Sequence, residues 1–273
     1  MSIEPIPRGH LRVARRLLQR RGRDESGRFL VEGVQAVREA LIHGDIVESL
    51  VVVDPQRHAD LLELGHPQQV WRASQDDAAQ LSDTVTSQGV FAVTTQVKAS
   101  FDDLVDPELV VICAQVRDPG NAGTVIRCAD AFGADAVVLT KGSVELHNPK
   151  TVRASVGSIF HLPVITGADL GETVERLHDM GVQILAADGG GESLDDLAKH
   201  QGLDGPTAWI MGNEAWGLPA AERSMADKVV SVPMWGHAES LNLSTAAAVC
   251  LYATASAQRG PAPAPVTEPE YKI

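Results

Sequence analysis

A chain of 273 residues with 44% hydrophobic side chains can bury a sizeable core, which excludes a disordered polypeptide, a collagen-like repeat and a peptide hormone. Cys113, Cys128 and Cys250 stand in apolar runs at spacings that fit neither a disulfide framework nor a zinc knuckle. With no signal-peptide pattern and no membrane-length apolar run, the expectation is a cytoplasmic protein. The net charge of −13 is uneven: the first 28 residues hold eight arginines against three carboxylates, a basic arm on an acidic body. Such an arm binds phosphate locally, although a solvated helix face is the plain alternative.

From Gly9 to Arg21 the spacing of Leu11, Ala14, Leu17 and Leu18 predicts one amphipathic helix. Its outer face would carry Arg8, Arg12, Arg15 and Arg16. Elements then alternate: Phe29–Val31 as strand, Val34–Ile42 as helix, Ser49–Val53 as strand, His58–Leu64 as helix and Val90–Thr95 as strand. Residues 1–97 therefore read as a small α/β unit. The polar, proline-ended stretch 98–107 reads as a linker. Beyond it, Leu109–Ala114, Ala136–Leu139, Val182–Ala187, Ala208–Met211 and Val229–Val232 are apolar runs without alternation, which suits strands buried on both faces. Helical patterns at Ala122–Phe132, Leu170–Met180 and Leu243–Ala257 intervene, so residues 108–258 predict a parallel sheet with helices on both faces. The proline-rich residues 259–273 lack a core pattern and predict a disordered tail.

P-loop, G-x-G-x-x-G, G-x-S-x-G, H-E-x-x-H and C-x-x-C motifs are all missing. The Gly189-Gly190-Gly191 run has the wrong spacing for a nucleotide fingerprint and reads as a flexible loop, with a role at a cofactor's edge as the alternative. His147 and His161 show no second ligand at metal spacing, so no metal site is expected.

Three polar clusters follow strands of the second half. Arg117-Asp118-Pro119-Gly120-Asn121-Ala122-Gly123 reads as a turn with Asn121 as helix cap, and Arg127 then interrupts an apolar helix, where a cation is costly to bury without an answering anion. Met211-Gly212-Asn213-Glu214-Ala215-Trp216-Gly217-Leu218 is the second cluster. Val232-Pro233-Met234 through Glu239-Ser240-Leu241-Asn242-Leu243-Ser244 is the third. In this order and spacing they resemble the three motifs of the SpoU (TrmH-like) branch of the SPOUT RNA methyltransferases. Residues 1–97, with Phe29-Leu-Val-Glu-Gly-Val, are similar to the ribosomal-protein-like substrate-binding domain that often precedes that catalytic domain.

The resemblance implies methyl transfer from S-adenosylmethionine to a ribose 2′-hydroxyl of structured RNA, ribosomal or transfer. It also implies a deep trefoil knot, which connection rules argue against, and a homodimer. By motif position, Ala187, Gly212, Asn213, Gly217, Val232, Pro233, Met234 and Leu241 are the implied cofactor contacts, and Asn121, Arg127, Glu214, Ser240 and Asn242 the polar active-site residues. Arg127 would hold a phosphate, since a guanidinium resists deprotonation; Glu214 would orient Arg127 or another motif side chain. Lys150 and Arg153, at a helical start, join the arm arginines as candidate RNA contacts, with surface solvation as the alternative. Trp209 reads as core and Trp216 as a stacking platform. No charge occurs between Glu239 and Arg259, and a helix uncharged on every side needs cover on every side, which a second subunit would supply. Two rival readings stand beside this one: an RNA-binding module that kept the fold without catalysis, and a small-molecule α/β enzyme using a nucleotide cofactor.

Overall fold

The apolar runs become strands of two sheets. The computed structural model describes residues 3–43 and 47–260. The first sheet joins β1 (Arg28–Glu32), β2 (Val47–Val52), β3 (Gln69–Arg72) and β4 (Val90–Thr95) in the order β1-β4-β2-β3. Around it lie α1 (Arg8–Arg16), α2 (Arg20–Ser26), α3 (Val34–Ile42), α4 (Ala59–Leu64) and α5 (Gln75–Leu81). The second sheet is wholly parallel, in the order β10-β8-β9-β5-β6-β7. Its strands are β5 (Leu109–Cys113), β6 (Ala136–Thr140), β7 (Val164–Ala168), β8 (Gln183–Ser193), β9 (Thr207–Met211) and β10 (Lys228–Ser231). Its helices are α6 (Pro119–Ala131), α7 (Pro149–Ser155), α8 (Leu170–Asp179), α9 (Leu194–Lys199), α10 (Ala220–Arg223) and α11 (Leu243–Arg259).

Lack of alternation in the central strands has a direct cause. Leu109, Val111 and Cys113 of β5 face one core cluster while Val110 and Ile112 face another, so every residue is buried. The larger cluster continues through Val116, Val152 and Ile159 into Phe29, Val31, Ala36 and Val37 of the first unit. The two units thus share one apolar core.

Polar ties cross the same boundary. Arg23, 2% exposed, donates in a fork to both carboxylate oxygens of Glu145 at 2.7 and 2.5 Å and to the Leu17 carbonyl at 2.7 Å. His147 packs on the Phe29 ring, centroids 4.5 Å apart, and burial pushes its pKa down to about 4. His161 lies between Asp130 and Glu39; burial alone would lower its pKa, but the two carboxylates outweigh it and raise the value.

Several expectations change. The single helix over Gly9–Arg21 is two, broken at residues 17–19. Gly22 of the second packs against the Arg16 carbonyl, where a Cβ would stand at 2.1 Å, and Arg23, counted with the basic arm, turns inward to Glu145. The 98–107 stretch is docked rather than free: Ala99 bridges Ile165, Ser100 caps a 3₁₀ turn over Phe101–Asp103, and Leu104 is buried. Gly189–Gly191 belongs to β8. A Cβ on Gly191 would stand 2.2 Å from the Val229 carbonyl, so glycine lets β10 close onto the strand. β3, β7, α5 and α9 are additions that short, weakly patterned segments did not announce. α11 runs on to Arg259, whose guanidinium donates to the Phe132 and Gly133 carbonyls; residues 261–273 of the expected tail lie outside the described residues. Among the described residues no helix is long and apolar enough to cross a membrane.

Candidate active site

Parallel registry sets the position of the site. Cys113 of β5 pairs with Met211 of β9, and Met211 pairs with Ala187 of β8, so β5 and β9 end side by side at the carboxyl edge, level with Ala187 of the longer β8. The loops that leave β5 and β9 carry the first two polar clusters, and the segment that leaves β10 carries the third. Cys113 itself is fully buried and its thiol is pushed up to about 12 by burial, which denies it a nucleophilic role.

The first loop opens α6 differently from the sequence expectation. Asp118, not Asn121, is the N-cap: its Oδ1 accepts the Asn121 N–H at 2.9 Å, and Pro119 takes the first helical position. The Lys150 ammonium, 2.9 Å away, and the Asn121 N–H hold the Asp118 carboxyl below the usual carboxylate range. Released from capping, the Asn121 side chain donates from Nδ2 to Glu214 Oε1 at 3.2 Å and accepts from Asn242 Nδ2 at 3.1 Å.

The second loop folds back on itself. Asn213 and Gly217 exchange main-chain hydrogen bonds at 3.0 and 2.8 Å, with Gly217 left-handed at φ 66°. Asn213, buried, donates to the Gln115 carbonyl at 2.6 Å and accepts from Ala215 N at 2.9 Å, pinning this loop to the first. Glu214 accepts Arg117 N at 3.2 Å and Asp118 N at 3.1 Å as well as Asn121. It therefore orients the first loop and Asn121, and not Arg127. In the third segment Asn242 caps α11, its Oδ1 accepting Ser244 N at 2.9 Å and Oγ at 2.7 Å. A continuous chain, Glu214–Asn121–Asn242–Ser244, thus links all three loops.

Beside this chain opens a cavity of about 530 Å³, within the range of small-ligand sites. Ala187, Gly212, Asn213, Gly217, Val232, Met234 and Leu241 line it, as do Glu214, Ser240 and Asn242. Pro233, between two lining residues, is not among them. Asp188, Met211, Glu239 and Ala246 line it too and were missed. Asp188 directly follows the strand expected from sequence over Val182–Ala187, and that position was the available signal. A Cβ on Gly212 would fall 2.6 Å from the Gly217 carbonyl carbon, so only glycine lets the loop close on itself there.

Other expected residues lie elsewhere. Arg127 is exposed, six residues beyond Asn121 and roughly 9 Å further along α6; it does not line its own chain's cavity. Its helix buries Ala122, Val125, Ile126 and Ala129, which leaves position 127 on the open side, so no burial cost has to be met. Arg153 is engaged between Glu32 at 3.1 Å and Asp83 at 2.5 Å, and Lys150 by Asp118. Of the arm, Arg16 pairs with Glu25, whereas Arg8, Arg12 and Arg15 are exposed with no carboxylate partner among the described residues. Trp209 is fully buried and donates from Nε1 to Thr254 Oγ1 at 2.9 Å; half-exposed Trp216 carries the Arg117 guanidinium over its ring at 4.9 Å.

Comparison with known proteins agrees with this architecture. Residues 108–252 match the SpoU rRNA Methylase family and residues 10–92 the MRM3-like substrate binding domain. The chain is 36% identical to the 23S rRNA (guanosine(2553)-2'-O)-methyltransferase RlmP of Bacillus subtilis, over 92% of this chain and 98% of that one. It is 32% identical to the 23S rRNA (uridine(2479)-2'-O)-methyltransferase of Streptomyces viridochromogenes, over 85% and 84%. Among solved structures, the AdoMet complex of the SpoU methyltransferase AviRb from Streptomyces viridochromogenes superposes with a TM-score of 0.77 at 29% identity, covering 91% of this chain and 97% of that one. An AdoMet-bound rRNA methyltransferase from Sinorhizobium meliloti gives 0.77 at 28% identity, over 94% and 97%.

Proposed function

The chain belongs to the SpoU rRNA Methylase family, and from that premise we propose that it moves the methyl group of S-adenosylmethionine to a ribose 2′-hydroxyl of ribosomal RNA. The observation that carries this reading is the hydrogen-bonded chain from Glu214 through Asn121 to Asn242, which draws three separate loops to one cavity.

The cavity suits the methyl donor. Met211, Val232, Leu241 and Ala246 offer apolar surface for an adenine, and Gly212, by letting the second loop close on itself, shapes the main-chain cradle along the cavity wall. S-adenosylmethionine supplies a sulfonium methyl whose sulfur departs neutral, so the protein's task is alignment of donor and hydroxyl. Asn242, on the cavity wall, is held by Asn121 and Ser244 where the ribose must sit, and Ser240 offers a further hydroxyl there. Arg127 is the phosphate anchor: its guanidinium stays protonated and grips the phosphate beside the target ribose, which takes up the hydroxyl proton. Arg8, Arg12 and Arg15 guide the RNA backbone.

A homodimer completes the site in this reading. α6 and α11 pack on each other and leave Thr124, Arg127, Thr245, Tyr252 and Ser256 unburied or partly so, an uncharged surface but for Arg127. Met234, Trp235 and Leu241 are exposed on the adjoining rim. Two such faces pair so that each chain's Arg127 serves the other's cavity. The family's knot, with β9 inserted between the earlier strands β5 and β8, belongs to the same proposal.

The test is transfer of labelled methyl groups to ribosomal RNA from cells lacking the gene. Wild-type protein labels the RNA. Arg127→Ala binds the cofactor in calorimetry but does not label, and mixing it with Gly212→Ala chains restores about a quarter of the activity through heterodimers with one intact site. No labelling by the wild type refutes the activity; no recovery on mixing refutes the shared site.

A further inference from the structure

A second cluster of chemistry-bearing side chains lies away from this cavity, at the joint between the two units. Glu39 stands in the last turn of α3 and His43 is the C-cap of that helix, its N–H bonded to the Glu39 carbonyl, so the two lie on one side of the helix end. His161 follows the 3₁₀ turn Ser158–Phe160 of the second unit. One ligand atom from each of the three falls within 4.8 Å of the others. The sequence expectation of no partner for His161 looked along the chain, whereas its partners come from residues 122 and 118 positions earlier in space-filling contact across the joint.

The hydrogen bonds around the cluster have the form of an outer shell. His161 Nδ1 lies 2.7 Å from Asp130 Oδ2, which fixes the proton on Nδ1 and aims Nε2 at the cluster. Glu39 Oε1 accepts from Gln35 Nε2 at 2.5 Å, which leaves Oε2 directed at His161 Nε2, 3.1 Å away. In the ion-free protein a proton on Nε2 can answer Oε2, and a divalent ion bound between the two atoms takes that proton's place. The His43 ring stands 5.1 Å from that of His161, centroid to centroid, and is exposed enough to rotate inward.

We propose that Glu39, His43 and His161 bind one divalent zinc-type ion that clamps the N-terminal unit to the methyltransferase unit, with Asp130 and Gln35 as its outer shell. Two imidazoles and a carboxylate are the donors such an ion prefers, and a water fills the fourth position. Tetrahedral ligands at zinc distances stand about 3.3 Å apart, so a side-chain rotation of His43 closes the site. Magnesium, which demands oxygen ligands, does not bind there.

The experiment uses tag-free, full-length protein stripped with chelator. Titration with zinc sulfate gives one site per chain in calorimetry. A hundredfold excess over Kd raises Tm by about 5 °C, and magnesium chloride does not. Cobalt substitution gives visible ligand-field bands. His43→Ala, which removes an exposed side chain, loses the heat signal, the Tm shift and the bands, while His200→Ala, at the C-cap of α9, keeps all three. Absence of zinc uptake by the wild type, or its retention in both His43→Ala and Glu39→Gln, overturns the proposal. None of these readouts depends on methyl transfer.

Discussion

Glu214→Gln changes one atom and breaks a defined set of bonds. The carboxylate receives three N–H groups, with Oε1 taking Asp118 N and Asn121 Nδ2 and Oε2 taking Arg117 N, all between 3.1 and 3.2 Å. A glutamine keeps one oxygen, and its amide NH₂ faces at least one of the former donors whichever way the group is turned. Glu214 is exposed, so each bond is worth near the low end of the usual range, about 1 kcal/mol. Loss of one or two bonds with a donor opposing a donor amounts to about 2 kcal/mol. If that energy holds Asn121 in its transition-state position, kcat/KM for methyl transfer falls about 30-fold. Glu214 is a positioning residue, so the loss appears in kcat while the cofactor's Kd moves little. The assay is initial-rate transfer of labelled methyl to RNA, with calorimetry for the cofactor. A Glu214→Gln enzyme within threefold of wild type would show that the loops hold their places without this carboxylate.

Gly212→Ala forces a Cβ to within 2.6 Å of main chain that cannot yield, so cofactor affinity drops more than about tenfold while circular dichroism stays native. Unchanged calorimetry would remove the main-chain cradle from the site. Glu145→Ala strands the buried Arg23 cation and costs about 3–5 kcal/mol in urea unfolding, more than Arg23→Met, which removes the charge itself; a loss under about 1 kcal/mol contradicts the buried pair. His147 is buried neutral with a pKa of about 4, whereas the unfolded ring titrates near 6.5. Between those values the unfolded chain binds the extra proton, so this contribution is complete above about pH 6.5 and is lost as pH falls towards 4, by about 3 kcal/mol. His147→Leu should flatten that difference in stability measured from pH 7 to 4; a parallel profile for the two proteins would refute it.

What the amino-acid order determined by itself was local. α3 spans Val34–Ile42 as its apolar spacing requires, and the central strands of the parallel sheet follow from five-residue runs that need no distant partner to be recognised. The three polar clusters were visible because each is a short contiguous word. What only the tertiary structure decided was which group answers which. Glu214 finds its donors 93 to 97 residues away, Arg23 its carboxylate 122 residues away, and the cap of α6 passes from Asn121 to Asp118 because Asn121 is held by two other loops. Arg127 is exposed for the same kind of reason: helix phase against the sheet, not its apolar neighbours in sequence, sets the face it occupies. A side chain's type is written in the chain, but the energy of a buried charge or a directed hydrogen bond depends on a partner's position, and that position exists only once both sheets have packed.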